Sequence, residues 1–265
     1  MNYHLATRPS ARPQGKYGVD APYVPAIYGA VGTVLLVWGV VSLTVGGPAV
    51  APWAFCYGCL AFLAAGLYLY ATLRGKFVVW DRLLDDLALG SDESVLDLGC
   101  GRGAVLLAAA RRLPEGRAHG VDLWRSQDQS GNDPSVTERN AQAEGVADRI
   151  ELHTADITRL PFENGTFDAV VSSLAIHNIS DAAHRTTAIE EAVRVLRPGG
   201  RLVIADIRNT RQYRADLQRL GLHSITRRGV GARMWWTGPW IPTTVVSGTK
   251  PRWPDVPLKA VTTTE

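Results

Sequence analysis

Cysteine is scarce in this 265-residue chain, and runs of like charge are missing from it. Its three cysteines, Cys56, Cys59 and Cys100, are too few for a disulfide framework. Cys56 and Cys59 have CxxC spacing, but their apolar segment lacks the polar groups that lower a thiol pKa. We interpret them as small hydrophobic residues in a chain that faces a reducing compartment. The net charge of +3, without a dense basic stripe, argues against a nucleic-acid partner.

Charge is absent altogether from residues 21–73, which contain no Asp, Glu, Lys, Arg or His. A helix needs about 20 apolar residues to cross a bilayer, and the turn sequence GGPAVAP divides the segment into two such lengths. The sequence therefore predicts a two-helix transmembrane hairpin, with helices near 24–45 and 53–73. A signal peptide has one short apolar region rather than two long ones, and a buried soluble hairpin would need a very large core.

Basic residues flank this hairpin at both ends and are missing from its turn. They are Arg8, Arg12, Lys16, Arg74, Lys76 and Arg82. The positive-inside rule then predicts a multi-pass membrane protein with both termini in the cytoplasm and the turn outside. Small faces at Gly29, Gly32 and Gly39 leave open a homo-oligomer formed through the hairpin.

The rest of the chain divides into four parts. We expect a polar, flexible cytoplasmic tail over 1–20, an amphipathic linker helix over 74–92 that packs on the next domain, an α/β domain over 93–250 and a loose tail over 251–265. Strand and helix patterns alternate through the α/β domain. They predict a doubly wound, mainly parallel, seven-stranded Rossmann-like sheet, preceded by the two transmembrane helices.

A glycine-rich turn follows the first strand of this domain, in SVLDLGCGRGA at 94–104. Gly99 and Gly101 fit the dinucleotide fingerprint GxGxxA, which is a weak signal by itself. The same turn carries Asp97 two residues before the first glycine. A carboxylate there would repel a pyrophosphate, and it would suit a ligand with a cationic amino-acid end.

VLDLGCGRG resembles the first motif of the class I S-adenosylmethionine-dependent methyltransferases. Three further segments follow in that family's order: GVDLW at 120–124, TADITRLPFENGTFDAVVSSLAIHNI at 154–179 and RVLRPGGRLVIADI at 194–207. The resemblance covers about 77–249, without the hairpin. It is closest to the ubiquinone/menaquinone-methyltransferase-like (type 11) group, whose members act on small molecules. It implies S-adenosylmethionine as cofactor and S-adenosylhomocysteine as product, and no metal is expected.

The resemblance also implies roles for individual residues. Asp97 would orient the methionine end, Asp122 would bind the two ribose hydroxyls, and Asp156 would accept a hydrogen bond from the adenine amino group. Loop capping is the alternative role for these three carboxylates. The other implied cofactor-binding residues are Gly99, Cys100, Gly101, Leu123, Trp124, Ile157, Ser172 and Ser173.

Methyl transfer from a sulfonium is an in-line displacement, so alignment of the reacting atoms does most of the work. A protonated nucleophile also needs a general base. His177, in the loop after the fourth strand, is the candidate for this role, with hydrogen bonding inside the loop as the alternative. The candidate acceptor-binding residues are Asn178, Gln127, Asn132, Trp235 and Trp236.

Three functions compete. The first is a membrane-anchored, cytoplasm-facing S-adenosylmethionine-dependent methyltransferase acting on a lipophilic or membrane-associated small molecule. The second is a nicotinamide-dependent oxidoreductase that uses the same glycine turn. The third is a catalytically inactive, cofactor-binding scaffold held at the membrane.

Overall fold

Seven strands form one sheet in the order β3-β2-β1-β4-β5-β7-β6. The computed structural model in which they are seen describes residues 13–45, 47–125 and 128–252. The strands are β1 (Ser94–Leu98), β2 (Arg117–Asp122), β3 (Ile150–Thr154), β4 (Phe167–Ser173), β5 (Leu196–Asp206), β6 (His223–Gly229) and β7 (Thr244–Thr249). The first five strands in this spatial order, β3, β2, β1, β4 and β5, pair in parallel. Strand β7 is antiparallel to both β5 and β6. The strand order reverses between β1 and β4, where sheets of this kind bind ligands.

Helices cover both faces of this sheet, which confirms the predicted doubly wound fold. They are α3 (Lys76–Asp86), α4 (Ala104–Ala110), α5 (Pro134–Ala143), α6 (Ala182–Val195) and α7 (Thr210–Arg219). On one face Leu84 of α3 and Leu106 of α4 are fully buried. On the other face Ile189 of α6 and Tyr213 of α7 are fully buried. In the central strand β1, the apolar residues Val95, Leu96 and Leu98 are buried, as expected of a parallel strand between two helical layers, and Asp97 is buried among them.

A hairpin of two long helices, α1 (Tyr23–Thr44) and α2 (Ala51–Tyr70), precedes the sheet. Glycines let the two helices approach closely. A Cβ at Gly32 would lie 2.9 Å from the ring of Phe62, and a Cβ at Gly39 would lie 2.9 Å from the ring of Phe55. These two glycines therefore pack the hairpin itself and are not free to pair with a second copy, whereas Gly29 faces open space.

The outward faces of this hairpin are apolar and uncovered. Val34 is 67% exposed, Trp53 65% and Leu63 58%. Both helices are long and apolar enough to cross a membrane. A core helix of a soluble protein would bury most of these side chains, so the exposure favours a lipid environment, and the transmembrane assignment stays a prediction.

The second hairpin helix runs without a break into the domain. A π-helical turn (Ala71–Gly75) joins α2 to α3, which packs on the sheet as expected of the linker. Trp80 of α3 is buried, and its Nε1 donates to Oγ of Ser173 at 2.8 Å. Arg112 also bonds to Asp81 at 2.6 Å. The hairpin and the domain are therefore joined by a continuous helix and not by a flexible linker.

The prediction of a flexible N-terminal tail is wrong for residues 14–20. Oε1 of Glu144 accepts hydrogen bonds from the backbone N–H of Gln14 and the hydroxyl of Tyr17, both at 2.8 Å. Asp20 pairs with Lys76 at 2.8 Å. Composition alone could not reveal these partners, because they lie more than fifty residues away along the chain. Residues 1–12 and 253–265 lie outside the described residues.

Gly75→Ala is expected to destabilise the junction between hairpin and domain. A Cβ at this position would overlap the carbonyl oxygen of Arg233, so the backbone would have to shift. We expect a loss of about 1–3 kcal/mol of stability, measured by thermal unfolding of the detergent-purified chain. Gly66→Ala is the matched control, because a Cβ there meets nothing within 4 Å. Equal stability of the two variants would contradict the close approach at Gly75.

Candidate cofactor and substrate site

A cavity of about 1110 Å³ lies at the carboxyl ends of the parallel strands. Its walls come from the turn after β1, the ends of β2 and β4, the loop before α6 and the base of the hairpin. The predicted site residues in its lining are Asp97, Gly99, Cys100, Gly101, Asp122, Leu123, Asn132, Asp156, Ile157, Ser173, His177, Asn178 and Trp236. The structure therefore brings together most of the residues that the sequence singles out.

The glycine turn passes close to its neighbours. Gly99 and Gly101 have positive φ values of 72° and 49°, which side-chain-bearing residues rarely adopt. A Cβ at Gly99 would overlap the side chain of Ala175, and one at Gly101 would collide with Oε1 of Gln129. Both glycines are thus required by backbone conformation and by space, which brings bare backbone to the cavity.

Asp97 is a buried carboxyl group without a partner for one of its oxygens. Its residue is 1% exposed, and Oδ1 has no hydrogen-bond partner within the described parts of the chain. Burial, with a further contribution from the nearby charge of Asp122, raises the pKa of Asp97 to about 8. A buried carboxylate is costly unless it is paired. An ammonium group of a ligand would supply the missing partner, so the residue fits the amino-acid end of S-adenosylmethionine.

Asp122 ends β2 beside the glycine turn. Its Oδ2 accepts a hydrogen bond from the N–H of Gly101 at 2.8 Å. Its Oδ1 accepts from the N–H of Trp124 at 2.6 Å and from Nδ2 of Asn132 at 3.2 Å. The carboxylate therefore caps the loop and lines the cavity at once. Asp156 does the same, because its Oδ1 accepts from the N–H and hydroxyl of Thr158 at 2.9 Å.

Three predicted site residues do not line the cavity. Ser172 is fully buried inside the sheet, where its hydroxyl donates to the carbonyl oxygen of Leu98 at 3.0 Å. Successive strand residues face opposite sides, so the cavity receives Ser173 instead. Trp124 donates from Nε1 to Oγ1 of Thr154 at 2.8 Å and lies along the sheet edge. Trp235 is also outside the lining, and Gln127 lies outside the described residues.

His177 is held by a group that sequence reasoning did not identify. Asp206, at the end of β5, has a fully buried side chain, and its Oδ1 lies 2.6 Å from Nδ1 of His177. This contact is short but is not aligned as a hydrogen bond. Oδ2 of Asp206 accepts from the N–H of His177 at 3.1 Å and from the hydroxyl of Tyr213 at 3.2 Å. The sequence signal for this role is limited to the position of Asp206, an acidic residue at the end of an apolar strand.

Gln129 forms hydrogen bonds with both the N-terminal segment and the glycine turn beside the cavity. Its Oε1 accepts from the N–H of Arg102 at 2.8 Å, and its Nε2 donates to Oδ1 of Asp20 at 2.9 Å. Asp20 pairs in turn with Lys76 on α3. All three of Gln129, Asp20 and Lys76 line the cavity. Residues from the N-terminal segment and α3 therefore close one side of the site.

The base of the hairpin forms an apolar wall of the same cavity. Tyr23 and Val24 of α1 and Tyr68 of α2 line it together with Trp236. The rings of Tyr68 and Trp236 meet edge to face, with their centroids 5.1 Å apart. Nε1 of Trp236 is satisfied by Oγ1 of Thr243 at 2.9 Å. The cavity is therefore charged at its sheet end and aromatic at its hairpin end.

Residues 95–200 match the sequence model of a protein family described as a methyltransferase domain. The matched segment runs from β1 into β5. The 27-O-demethylrifamycin SV methyltransferase of Amycolatopsis mediterranei is 34% identical over 128 residues, which are 48% of this chain and 43% of that protein. The ubiquinone/menaquinone biosynthesis C-methyltransferase of Roseobacter denitrificans is 32% identical over 126 residues, 48% of this chain and 47% of that protein. The chain spans about half the length of the curated relatives it matches.

Solved structures share the fold of the α/β domain. A geranyl diphosphate methyltransferase in complex with S-adenosylmethionine matches with a TM-score of 0.55 at 19% identity, over 71% of this chain and 90% of that one. The [4+2]-cyclase SpnF matches with a TM-score of 0.53 at 21% identity, over 65% of this chain and 82% of that one. A protein named for a different reaction thus has the same fold, so the fold alone does not determine function.

Proposed function

We propose that the chain is a membrane-anchored S-adenosylmethionine-dependent methyltransferase that acts on a lipophilic or membrane-associated small molecule at the cytoplasmic face. One observation carries this proposal. A single cavity extends from Asp97 and Asp122 at the sheet to Tyr23, Val24 and Tyr68 at the base of the apolar hairpin. A cofactor pocket and an entrance for an apolar acceptor are therefore parts of one space.

The sheet end of the cavity supplies what the cofactor requires. S-adenosylmethionine, when bound, supplies a methyl group already activated on a sulfonium sulfur. Asp97 would pair with the ammonium of its methionine part, and Asp122 would accept from the ribose hydroxyls. The glycine turn at Gly99 and Gly101 lets the backbone approach the ligand without a side chain between them. A nicotinamide dinucleotide is disfavoured, because its pyrophosphate would leave this buried carboxyl group without a cationic partner.

His177 would remove the proton of the methyl acceptor. Asp206 is close to Nδ1 of the ring, whereas Nε2 makes no hydrogen bond with the described residues. Nε2 is therefore the atom that would take the proton, and the buried carboxylate would stabilise the imidazolium that forms. The intact acids at the cofactor end and this pair at the acceptor side favour an enzyme over an inactive scaffold.

A lipophilic acceptor is supported from two directions. The hairpin leaves large apolar side chains uncovered, and contiguous apolar surface of this extent marks membrane or partner contact. Relatives over this domain include a sterol 4-C-methyltransferase of Caenorhabditis elegans and ubiquinone/menaquinone biosynthesis C-methyltransferases, whose names refer to sterols and quinones. Basic residues on both sides of the hairpin favour cytoplasmic termini. Lys76 contributes less to this signal, since Asp20 neutralises it.

The decisive experiment follows labelled methyl from S-adenosylmethionine into a membrane extract, using the detergent-purified chain. We expect label in the organic phase and its loss in Asp97→Ala. Label confined to the aqueous or protein fraction would reject the lipophilic acceptor and keep the methyltransferase. Cofactor binding without transfer to any fraction would favour the scaffold, and binding of a nicotinamide cofactor instead would favour the oxidoreductase.

A pair of variants tests the hairpin end of the cavity separately. Val24→Trp would fill the apolar end and should lower transfer to organic-soluble acceptors while leaving the cofactor Kd unchanged. Val31→Trp is the matched control, because Val31 is exposed on the same helix and does not line the cavity. Equal transfer by both variants would contradict entry of the acceptor at the hairpin.

A further inference from the structure

Three metal-ligating side chains meet on the edge of the sheet, outside the cavity. His119 lies on β2, and Glu151 and His153 lie on the neighbouring edge strand β3. The parallel register pairs His119 with Glu151. Because side chains alternate along a strand, Glu151 and His153 point to the same face. Two imidazoles and one carboxylate therefore project side by side from two rigid strands.

The ligand atoms of this His119–Glu151–His153 cluster are close together but poorly satisfied. Nδ1 of His119 lies 3.7 Å from Oε2 of Glu151, and Nε2 of His153 lies 3.3 Å from Oε1. All three residues can offer a ligand atom within 4.8 Å of the others. Both ring nitrogens are buried, and neither has a hydrogen-bond partner among the residues described. Buried polar atoms in native proteins rarely lack a hydrogen-bond partner, so each such atom needs an explanation.

We propose that His119, Glu151 and His153 form a binding site for a divalent transition metal, with Zn²⁺ as the best fit. Zinc takes histidine nitrogen and carboxylate oxygen at about 2.0–2.2 Å, which places tetrahedral ligands roughly 3.3 Å apart. The two nitrogen–oxygen separations in the cluster, 3.7 and 3.3 Å to different oxygens of the Glu151 carboxylate, are close to this value. A set of two histidines and one carboxylate leaves one coordination position for water.

The surroundings hold the rings and leave an entry path. The ring of Phe162 packs edge to face on His153, with centroids 4.8 Å apart, and Phe167 packs in the same way on His119 at 5.2 Å. Rotamers held by packing preorganise a site, so little freedom remains to be lost on binding. The side chain of Glu151 is 51% exposed, so an ion can enter from solvent on that side.

The position of the cluster indicates a structural role. None of the three residues lines the cavity. An ion here would crosslink β3 to β2, the strand that ends in Asp122, and would stabilise the folded chain by mass action. This site is not evident from the sequence, from which no metal is expected. His119 and the ExH pair at 151–153 lie some thirty residues apart along the chain, and only strand pairing makes them neighbours.

The test is Zn²⁺ binding by the tag-free, full-length chain in detergent after chelator treatment, measured by competition with a chromophoric chelator. We expect one tight equivalent and a rise in thermal unfolding temperature on adding Zn²⁺. His119→Gln and His153→Gln should each raise the Kd about tenfold or more, since even outer-shell changes cost this much. His223→Gln is the matched control, because that ring is exposed on β6, away from the cluster. It should bind as the unaltered chain does.

Two further measurements keep the proposal falsifiable where a histidine variant folds poorly. Glu151→Gln changes a half-exposed side chain and should fold while losing Zn²⁺ affinity. Co²⁺ added to the unaltered chain should give the intense visible bands of a four-coordinate site, displaced by one equivalent of Zn²⁺. The proposal is overturned if the unaltered chain binds no more Zn²⁺ than His119→Gln/His153→Gln, or if Co²⁺ shows only an octahedral aqueous spectrum. In that case the cluster is an imidazole–carboxylate contact alone.

Discussion

Asp97→Asn is expected to weaken cofactor binding about a hundredfold and, at the same time, to stabilise the ligand-free protein at pH 8. The carboxyl is buried and unpaired on one oxygen, and burial raises its pKa from 3.8 to about 8. Between those two pH values the unfolded chain has released the proton and the folded chain retains it. Stability from this group therefore falls as the pH rises through that window. A neutral amide removes the penalty, by roughly 1–3 kcal/mol at pH 8.

Loss of binding follows from the same burial. The ammonium of the cofactor contributes to the binding free energy because its charged partner lies in a site that excludes water. Removing one partner of a buried ion pair costs about 3 kcal/mol or more, which is roughly a hundredfold in Kd. We expect calorimetric titration with S-adenosylhomocysteine to show this loss. For the unaltered chain, affinity should rise between pH 6 and 8, with nearly one proton released at pH 7 as the carboxyl ionises on binding.

The control for this prediction is Asp148→Asn, which changes an exposed carboxylate far from the cavity. It should alter neither the affinity nor the pH dependence of unfolding. A variant at Asp97 that is less stable than the unaltered chain at pH 8 would contradict the unpaired state of this carboxyl. Affinity within threefold of the unaltered chain would contradict its role toward the ammonium group.

The cofactor side of the site could be predicted from sequence because its determinants are local. A buried strand, an acid and a glycine turn lie within ten residues, and their spacing places Asp97 and Gly101 at one strand end whatever the rest of the fold does. The same holds for Asp122, which is the last residue of β2, and for Asp156, which lies two residues after the end of β3. Predicting the positions of these residues required only that the strand boundaries be correct.

The rest depended on contacts between distant segments. Ser172 and Ser173 are equivalent by composition, and only the strand pairing decides that Ser172 faces the sheet interior. The partner of His177 lies twenty-nine residues further along the chain. Residues 14–20 look like a polar tail, yet Asp20 has a buried ion-pair partner on α3. A charge-free segment predicts two long apolar helices, but it gives no sign that the base of the hairpin also walls the cavity.

His177→Gln is expected to lower kcat by about 10²–10⁴-fold, the usual contribution of a general base. The cofactor Kd should stay the same, since the ring lies on the acceptor side and the glycine turn is untouched. Single-turnover methyl transfer with a saturating acceptor measures the effect without interference from product release.

The control is His184→Gln, which removes another imidazole from the cavity lining. That side chain is 70% exposed, and its Nδ1 lies 3.1 Å from Oδ2 of Asp181 at the start of α6. It has no buried carboxylate behind it, whereas His177 has Asp206. Tyr213→Phe takes one donor away from Asp206 and leaves its contacts with His177 in place, so it should lower kcat far less than His177→Gln. If His177→Gln and His184→Gln lower kcat equally, the Asp206 contact is structural, and the acceptor must lose its proton to water or arrive already deprotonated.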